Sequence, residues 1–245
     1  MSSPDLSIVV PCYNEAGNIP LIINRFKEIL STSSPQVEVV LVNNGSTDHS
    51  SDVFKEELEK VSDARFRVID VPENKGYGFG ILSGLASAKG NVMAWTHADM
   101  QTDPEDVLKA YQCYQQNGDP LTFVKGKRQQ RAPIPLFFTW GMGLISSLAL
   151  KAGLHDIGAQ PKLFSRSFYE TYLQKGAPHD FSLDLYAQYW AQKKGTIKEV
   201  PVYFAKRLHG EAKGGGNLKT RIKVTRRVLK FIFELRERLV KDGQL

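Results

Sequence analysis

The chain has 245 residues, of which 42% are hydrophobic and 24% charged, and its formal net charge is +6. This composition excludes a disordered chain and fits one large domain, or one domain with an appendage. The two cysteines, Cys12 and Cys113, stand far apart, which excludes a disulfide-rich scaffold and a zinc-binding spacing and favours a reducing cytoplasm.

The first half of the chain alternates short β-branched runs with segments of helical periodicity. The predicted order is a strand at Leu6–Val10, a helix over about 18–30, a strand at Val37–Val42, a helix over about Ser50–Val61, a strand at Phe66–Val71, a helix over about Tyr77–Ala88 and a strand at Val92–Thr96. Repeated βα units with right-handed crossovers predict an α/β fold with a mostly parallel sheet and helices on both faces.

The second half is less regular. Its predicted elements are a helix that begins at Asp103–Glu105, a strand at Leu121–Lys125, an irregular loop at Asp156–Pro161, a helix over about Ser182–Lys193 and a strand at Ile197–Phe204. Gly214–Gly216 then precedes a final amphipathic helix over about Leu218–Val240. We therefore predict a catalytic domain over residues 1–213 and a basic C-terminal helix within 214–245.

Polar clusters follow four of the predicted strands. They are Tyr13–Glu15, Asn43–Asp48, Asn74–Gly76 and His97–Asp99. Because ligands bind beyond the carboxyl ends of strands in parallel sheets, these clusters predict one shared binding site.

Three of these segments carry a resemblance to a known family. They are VVPCYNE at Val9–Glu15, VNNGSTD at Val42–Asp48 and HADMQ at His97–Gln101. Together they resemble family-2 glycosyltransferases, which have the GT-A (Rossmann-like) fold, and within them the polyprenyl-phosphate glycosyltransferases such as dolichol-phosphate mannose synthases. The resemblance spans about Leu6–Lys230. It implies inverting transfer of a sugar from a nucleoside-diphosphate sugar to a polyprenyl (dolichyl or undecaprenyl) phosphate.

The resemblance places the donor nucleoside at the end of the first strand. It implies that Pro11, Tyr13, Asn14 and Glu15 lie near the base and ribose, although Asn14–Glu15 also fits a helix cap followed by a first-turn acid.

Asn43 and Asn44 stand where the family usually has acidic residues that contact the base. An amide is both donor and acceptor, so the base stays open. Ser46, in the same loop, fits a turn and helix cap as well as a donor contact. Lys75 and Gly76 could approach the donor phosphates, but a solvated lysine is the competing interpretation.

The segment around Asp99 is an altered D-x-D motif, in which His97 replaces the first carboxylate and Ala98 stands between them. The resemblance implies that Asp99 and Gln101 hold a divalent metal, Mg²⁺ or Mn²⁺, which neutralises the leaving diphosphate. His97 has three interpretations: a metal ligand that favours Mn²⁺, a hydrogen-bond donor to phosphate, or a residue that fills a strand end.

Basic residues predict phosphate contacts on the acceptor side. Arg128 and Arg131 follow the fifth predicted strand, where the family presents arginine to the acceptor phosphate, and Arg207 and Lys213 match basic positions of its last loop. If the acceptor is instead a saccharide hydroxyl, it needs a general base, for which Asp184 or Asp180 is the candidate. The altered motif also allows a third hypothesis, a non-catalytic nucleotide-sugar-binding protein.

The positive charge is concentrated in Lys206–Lys241. A basic amphipathic helix there, with the apolar segment Pro135–Trp140, predicts contact with an anionic membrane surface, whereas core packing is the alternative. The apolar stretch Ile134–Leu150 is shorter than the ~20 residues that cross a bilayer, and the N-terminus lacks the features of a signal peptide. We therefore expect a cytoplasmic protein, peripheral at the inner face of a membrane, and no nucleic-acid partner.

Overall fold

The computed structural model of the protein describes residues 3–32, 35–129, 133–207, 209 and 218–245. Seven strands form a single sheet: β1 Leu6–Cys12, β2 Val37–Asn44, β3 Phe66–Val71, β4 Val92–Trp95, β5 Thr122–Gln129, β6 Lys162–Ser165 and β7 Thr196–Tyr203. Their spatial order is β3-β2-β1-β4-β6-β5-β7. Strands β1, β2, β3 and β4 pair in parallel, as do β5 and β7. The predicted α/β fold with a mostly parallel sheet is confirmed.

The helices connect the strands and cover both faces of the sheet. They are α1 Ile19–Ser31, α2 Ser50–Val61, α3 Tyr77–Ser87, α4 Glu105–Asn117, α5 Pro133–Leu150, α6 Arg166–Phe168, which continues into a π-helical turn at Tyr169–Leu173, α7 Leu183–Lys194 and α8 Leu218–Lys241. Helix α2 ends at Val61 because the next residue, Ser62, adopts a left-handed conformation, and its N–H donates to Leu58 O. This is an αL C-cap.

Two apolar cores lie on opposite faces of the sheet. One contains Trp95 and Phe164 beneath α3, α7 and α8, and the other contains Ile8 and Val39 beneath α1 and α4. Side chains alternate across each strand, so β1 contributes Val9 to the first core and its neighbours to the second. A sheet buried on both faces explains the nearly continuous apolar runs of β1 and β2.

Two predictions about the second half are corrected. Strand β5 continues to Gln129, so Gly126–Arg128 lies within the strand instead of after it, because β7 pairs with it along its whole length. The loop predicted before Pro161 leads into β6, which no pattern indicated. This strand has four residues and runs antiparallel between β4 and β5.

Helix α8 packs one face on the body of the protein. Val228, Ile232, Leu235 and Leu239 are buried in the first core, whereas Ile222 and Phe233 are exposed. Core packing thus accounts for one apolar face of the helix and leaves another open.

The predicted domain boundary at residue 213 falls outside the described residues and stays a prediction. Among the helices that the structure describes, none has the length and apolar character needed to span a bilayer.

Candidate active site

A cavity of about 410 Å³ opens at the carboxyl ends of the parallel strands. Its walls include most of the polar clusters that the sequence indicated. Predicted residues in the wall are Pro11, Tyr13, Glu15, Asn44, Gly76, His97, Ala98, Asp99, Gln101, Arg128 and Arg207. The loops after β1, β3 and β4 and the end of β2 therefore meet at one site, as the strand-end rule requires.

Arg207 joins two carboxylates in this cavity. Its Nη2 donates to Asp99 Oδ2 over 2.7 Å, and its Nη1 donates to Glu15 Oε1 over 3.2 Å. Both acids are buried, with 5% and 8% of their surfaces exposed. The trio of Glu15, Asp99 and Arg207 thus carries two acids and one guanidinium. An anionic ligand beside Asp99 would need a further cation, or a shift of Arg207 away from its partners.

Gln101 links the Asp99 loop to the segment that carries Arg207. Gln101 N donates to Asp99 Oδ1 over 3.1 Å, and Gln101 Nε2 donates to Ala205 O over 3.2 Å. Ala205 N donates in return to Gln101 O over 2.8 Å. The segment after β7 is therefore fastened to the altered D-x-D motif two residues before Arg207.

A chain of polar side chains runs from His97, which is partly buried and lines the cavity, to the fully buried Lys162. His97 Nε2 and the Tyr77 hydroxyl share a hydrogen bond of 3.2 Å, and Gln160 Nε2 donates to that hydroxyl over 3.2 Å. Gln160 Nε2 also donates to Asp184 Oδ1 over 3.0 Å, and Lys162 Nζ lies 3.1 Å from the same oxygen. These hydrogen bonds connect the cavity wall to Asp184.

Burial is the largest influence on the charge of His97. Desolvation lowers the pKa of His97 below its ordinary value, against the opposing charges of Asp99 and Asp184, which favours the neutral imidazole. Its Nε2 shares a hydrogen bond with the Tyr77 hydroxyl. The structure thus gives His97 an internal partner, and its role toward a ligand stays a prediction.

The residues around Asp99 fit a metal that takes most of its ligands from the donor. No group of three or more His, Cys, Asp or Glu side chains is placed to hold a metal ion anywhere in the part of the chain that the structure describes. Mg²⁺, however, commonly uses one or two carboxylates and completes its shell with substrate phosphates and water. One buried carboxylate, on Asp99, and the side-chain oxygen of Gln101 meet that lesser requirement.

The two asparagines at the end of β2 have different surroundings. Asn43 does not line the cavity: its Nδ2 donates to Ser51 Oγ over 2.8 Å and to Asp70 Oδ1 over 2.9 Å. Asn44 lines the cavity, and its Nδ2 donates to Gly76 O over 3.1 Å. Of the pair, Asn44 is the one that lines the cavity, and its contact with a nucleoside stays a prediction.

Asn14 and Ser46 serve the loops beside the cavity. Asn14, with a φ of 55°, accepts from Thr47 N over 2.8 Å, and Asn14 N donates to Ser46 Oγ over 3.1 Å. These bonds tie the loop after β1 to the loop after β2. They support the turn interpretation, whereas the helix-cap interpretation of both residues is wrong, because α1 has its N-cap at Asn18 and α2 at His49.

Lys75 and Gly76 also differ from each other. Lys75 does not line the cavity, and its ammonium lies 5.5 Å from the centre of the Phe79 ring. Gly76 lines the cavity with a φ of 123°, and a Cβ there would stand 2.3 Å from His179 O. Glycine is therefore required at this position by backbone conformation and by the approach of another loop.

Arg128 is held by an acid that the sequence did not single out. Its backbone N donates to Asp156 Oδ2 over 2.9 Å, its Nε donates to Oδ1 over 2.7 Å, and Nη2 forms a third bond to the same carboxylate. Burial opposes ionisation of Asp156, but these bonds lower the pKa of its carboxyl below the ordinary value. Arg128 lines the cavity at the strand ends and a second cavity beside it.

The candidate base Asp184 lines that second cavity and does not line the cavity at the strand ends. Asp180 makes a different contact: its Oδ1 accepts from Ser182 N over 2.8 Å before α7 begins, which is a cap-like role. Arg131 and Lys213 lie outside the described residues.

Four residues that make contacts in or beside the site were not predicted from the sequence, because none belongs to a recognisable motif. They are Tyr77, Gln160, Lys162 and Phe181.

The chain also matches a known protein family over most of its length. Residues 7–173 match the model for Glycosyl transferase family 2. The chain belongs to that family. It is a glycosyltransferase with a GT-A fold, and the resemblance seen in its motifs is confirmed.

Curated relatives agree with this assignment. The chain is 26% identical over 211 residues to an undecaprenyl-phosphate 4-deoxy-4-formamido-L-arabinose transferase of Pseudomonas syringae pv. syringae, a match that covers 85% of this chain and 60% of the relative. It is 27% identical over 215 residues to the transferase of the same name from Edwardsiella ictaluri, covering 86% of this chain and 63% of the relative. The chain thus spans about 60% of the length of the relatives it matches.

Solved structures share the fold. Glucosyl-3-phosphoglycerate synthase from Mycobacterium tuberculosis, in complex with Mn²⁺, UDP and glucosyl-3-phosphoglycerate, superposes with a TM-score of 0.71 at 17% identity, covering 95% of this chain and 80% of that one. The complex of the same enzyme with Mn²⁺ and UDP-glucose gives a TM-score of 0.69 at 20% identity, covering 92% and 77%.

Proposed function

We propose that this glycosyltransferase moves a sugar, with inversion, from a nucleoside-diphosphate sugar to a polyprenyl phosphate. The observation that carries the proposal is the juxtaposition of two sites. A donor cavity that contains Asp99 and Arg207 shares Arg128 with an adjoining apolar cavity. Relatives named as undecaprenyl-phosphate transferases support the acceptor class.

On the donor side, Asp99 and Gln101 would hold Mg²⁺ or Mn²⁺ against the diphosphate. The metal would neutralise the charge that builds on the leaving group. Arg207 would exchange one of its carboxylate partners for a phosphate oxygen, since a guanidinium binds either oxyanion in the same bidentate way. Crystals of the structural neighbour with Mn²⁺ and UDP support this use of a metal.

On the acceptor side, the surroundings of Asp184 favour a phosphate over a hydroxyl. A hydroxyl acceptor needs a base that can take up a proton, whereas a phosphate monoester is already an anionic nucleophile. Asp184 Oδ1 accepts from Gln160 and pairs with Lys162, whose side chain has no exposed surface. Both contacts engage the same carboxylate oxygen inside the protein, which is not the position of a base that must reach an acceptor hydroxyl.

Transfer assays test the proposal. The protein is incubated with UDP- and GDP-sugars, Mg²⁺ or Mn²⁺, and either farnesyl phosphate or an oligosaccharide, and product is followed by mass spectrometry. We expect a glycosyl phosphodiester of farnesol and its loss in Asp99→Asn. Product from the oligosaccharide alone would establish the hydroxyl-acceptor alternative and overturn the proposal.

We also propose that the protein is peripheral at the anionic, cytoplasmic face of a membrane. The open face of α8 carries exposed basic residues next to Ile222 and Phe233, which are 44% and 53% exposed. The basic residues are Lys223, Arg226, Arg227 and Lys230. Co-sedimentation with vesicles of phosphatidylglycerol should exceed that with phosphatidylcholine and should fall with salt. Equal binding to both vesicles would contradict this mode of attachment.

A further inference from the structure

The chain of hydrogen bonds behind His97 begins at an ion pair. Lys162 Nζ, on a fully buried side chain, lies 3.1 Å from Asp184 Oδ1. An ion-paired carboxylate only accepts hydrogen bonds. Gln160 Nε2 donates to the same oxygen over 3.0 Å. The Gln160 amide therefore has its nitrogen, and not its oxygen, toward Asp184.

The orientation of this amide sets the direction of the next hydrogen bonds. Gln160 Nε2 carries two hydrogens and can only donate, so its 3.2 Å bond makes the Tyr77 oxygen an acceptor. The Tyr77 hydroxyl has one hydrogen of its own, and His97 Nε2 lies 3.2 Å from it. This hydrogen is therefore directed to His97 Nε2, which must then present a lone pair.

The opposite direction, from His97 Nε2 to Tyr77, fits the contacts less well. It would turn the Tyr77 hydrogen toward Asp184, which is bonded to the same amide nitrogen as Tyr77. Asp184 Oδ1 already accepts from Gln160 and pairs with Lys162. With Tyr77 donating to His97 instead, each acceptor in the chain has a donor. A neutral imidazole that accepts at Nε2 carries its hydrogen on Nδ1.

We propose that Tyr77 is a positioning residue that holds His97 as the Nδ1–H tautomer, so that His97 serves the donor diphosphate as a hydrogen-bond donor and not as a metal ligand. The inference rests on the proposed function, because it needs a nucleoside diphosphate in the cavity that His97 lines. A metal binds an imidazole through a nitrogen lone pair. At Nε2 that lone pair is engaged by Tyr77, and at Nδ1 a hydrogen takes its place.

This role explains how a histidine can stand where the D-x-D motif has its first carboxylate. Asp99 and Glu15 already supply two acids against the single guanidinium of Arg207. A neutral N–H at position 97 adds a contact for a phosphate oxygen without adding a third negative charge. The metal is then left to Asp99 and Gln101.

Nuclear magnetic resonance of the ligand-free protein tests the tautomer. In long-range ¹H–¹⁵N spectra, a ring nitrogen that carries hydrogen and one with a lone pair have well-separated shifts. The chain has five histidines, so the His97 signals are identified as those missing from His97→Asn. We expect a lone pair on Nε2 and hydrogen on Nδ1. Hydrogen on Nε2 in the wild type would overturn the inference.

Tyr77→Phe tests the positioning role. It keeps the ring that stacks on Phe181, with 4.9 Å between ring centres, and removes only the hydroxyl. We expect the His97 signals to move toward the Nε2–H form. Tyr189→Phe, which changes a buried tyrosine of α7 outside the cavity wall, should leave them as in the wild type. Unchanged His97 signals in folded Tyr77→Phe would overturn this role, and the wild-type spectrum decides if that variant does not fold.

Binding titrations separate a contact with the diphosphate from a contact with the metal. The Kd of Mn²⁺ is measured at saturating UDP or GDP, and the Kd of the nucleotide at saturating Mn²⁺. His97→Ala should raise the nucleotide Kd about tenfold, because it removes one hydrogen bond to a charged group. His97→Asn, whose amide can donate, should recover part of this affinity.

The Kd of Mn²⁺ gives the decisive comparison. It should stay near the wild-type value in His97→Ala and should rise in Asp99→Asn. A rise in His97→Ala as large as that in Asp99→Asn would make His97 a metal ligand and would overturn the inference.

The outcomes also distinguish this inference from the proposed function. If neither UDP nor GDP binds the wild type in the presence of Mn²⁺, the donor part of the proposed function fails, and the assignment of His97 to the diphosphate fails with it. If a nucleotide binds and His97→Ala keeps the wild-type nucleotide Kd, the proposed function stands and the role of His97 is overturned.

Discussion

Arg207 Nη2 lies 2.7 Å from Asp99 Oδ2, so the segment after β7 is paired with the remaining acid of the altered D-x-D motif. The residues are far apart in the chain and come together because β4 and β7 end at the same edge of the sheet. Only 18% of the Arg207 side chain and 7% of the Asp99 side chain are exposed. A cation at this place contributes to any diphosphate site around Asp99.

Replacing Arg207 should therefore weaken donor use. Arg207→Ala removes charge-assisted hydrogen bonds, which contribute about 1.5–3 kcal/mol each, so we expect kcat/KM for the donor to fall about 10- to 100-fold. Initial rates at varied nucleotide-sugar concentration measure the change. Lys206→Ala, at the exposed neighbouring position, is the matched control, and an equal loss in both variants would contradict a specific role for Arg207.

Lys162 and Asp184 form a buried pair that should be sensitive to the loss of one partner. Lys162→Met leaves the Asp184 carboxylate without its cation in the protein interior, and we expect a loss of about 3–5 kcal/mol in the free energy of unfolding. Urea denaturation measures it. Lys60→Met removes a 2.7 Å pair with Glu57 on a lysine side chain that is 63% exposed, where less than about 1 kcal/mol is expected. Similar losses in the two variants would argue against burial as the cause.

Glu199 should make stability depend on pH at the acidic end. Burial raises its pKa, but the bonds from Lys127 and Lys125 outweigh this and bring the pKa of Glu199 to about 2, below the ordinary 4.5. A lowered pKa in the folded state stabilises the protein fully above the unfolded value, and that contribution is lost as pH falls through the folded value. Wild type should thus lose this stabilisation between pH 4.5 and about 2.

The Glu199→Gln variant isolates this effect. Lys125 is fully buried and lies 3.1 Å from Glu199 Oε1, so Glu199→Gln should destabilise the protein by about 3 kcal/mol at pH 7. The difference in unfolding free energy between wild type and variant should shrink as pH falls below 4.5. A difference that stays constant between pH 6 and pH 3 would show that the charge of Glu199 is not responsible.

Two glycines with positive φ angles should respond differently to alanine. Gly76→Ala combines a φ of 123° with a Cβ 2.3 Å from His179 O, whereas Gly118 has a φ of 64° and open space around its Cβ. We expect a loss of more than about 2 kcal/mol in unfolding free energy for Gly76→Ala and about 1 kcal/mol for Gly118→Ala. Thermal or urea unfolding compares them. Because Gly76 O accepts from Asn44, Gly76→Ala should also weaken binding of the nucleoside diphosphate that the proposed function requires.

The first half of the fold was accessible from sequence because its elements carry strong local patterns. Strand β3 and helix α2 have the predicted bounds, Phe66–Val71 and Ser50–Val61. The polar residues that follow such strands are brought together by topology alone. This is why Glu15, Asn44 and Asp99 could be assigned to one site before the structure was known.

Strand β6 and the partners of several site residues could not be predicted, because they depend on tertiary contacts that leave no local signal in the sequence. Strand β6 is four residues long and contains a fully buried lysine, Lys162, which ordinary burial preferences would place at the surface. Asp156 was assigned to an irregular loop, and its role toward Arg128 arises only when that loop folds against β5. Asn43 had the expected position in the sequence, but its amide is committed to Ser51 and Asp70.

Strand β6 has a consequence for how the chain selects its alignment. Lys162 and Phe164 point to one face of the sheet and Leu163 points to the other, where it joins the opposite core. A slip of one residue would bring Leu163 toward Asp184 and would drive the lysine charge into the apolar core beneath α1 and α4. A slip of one residue therefore breaks the ion pair. The Lys162–Asp184 pair thus favours the native register of β6, the strand that joins the two halves of the sheet.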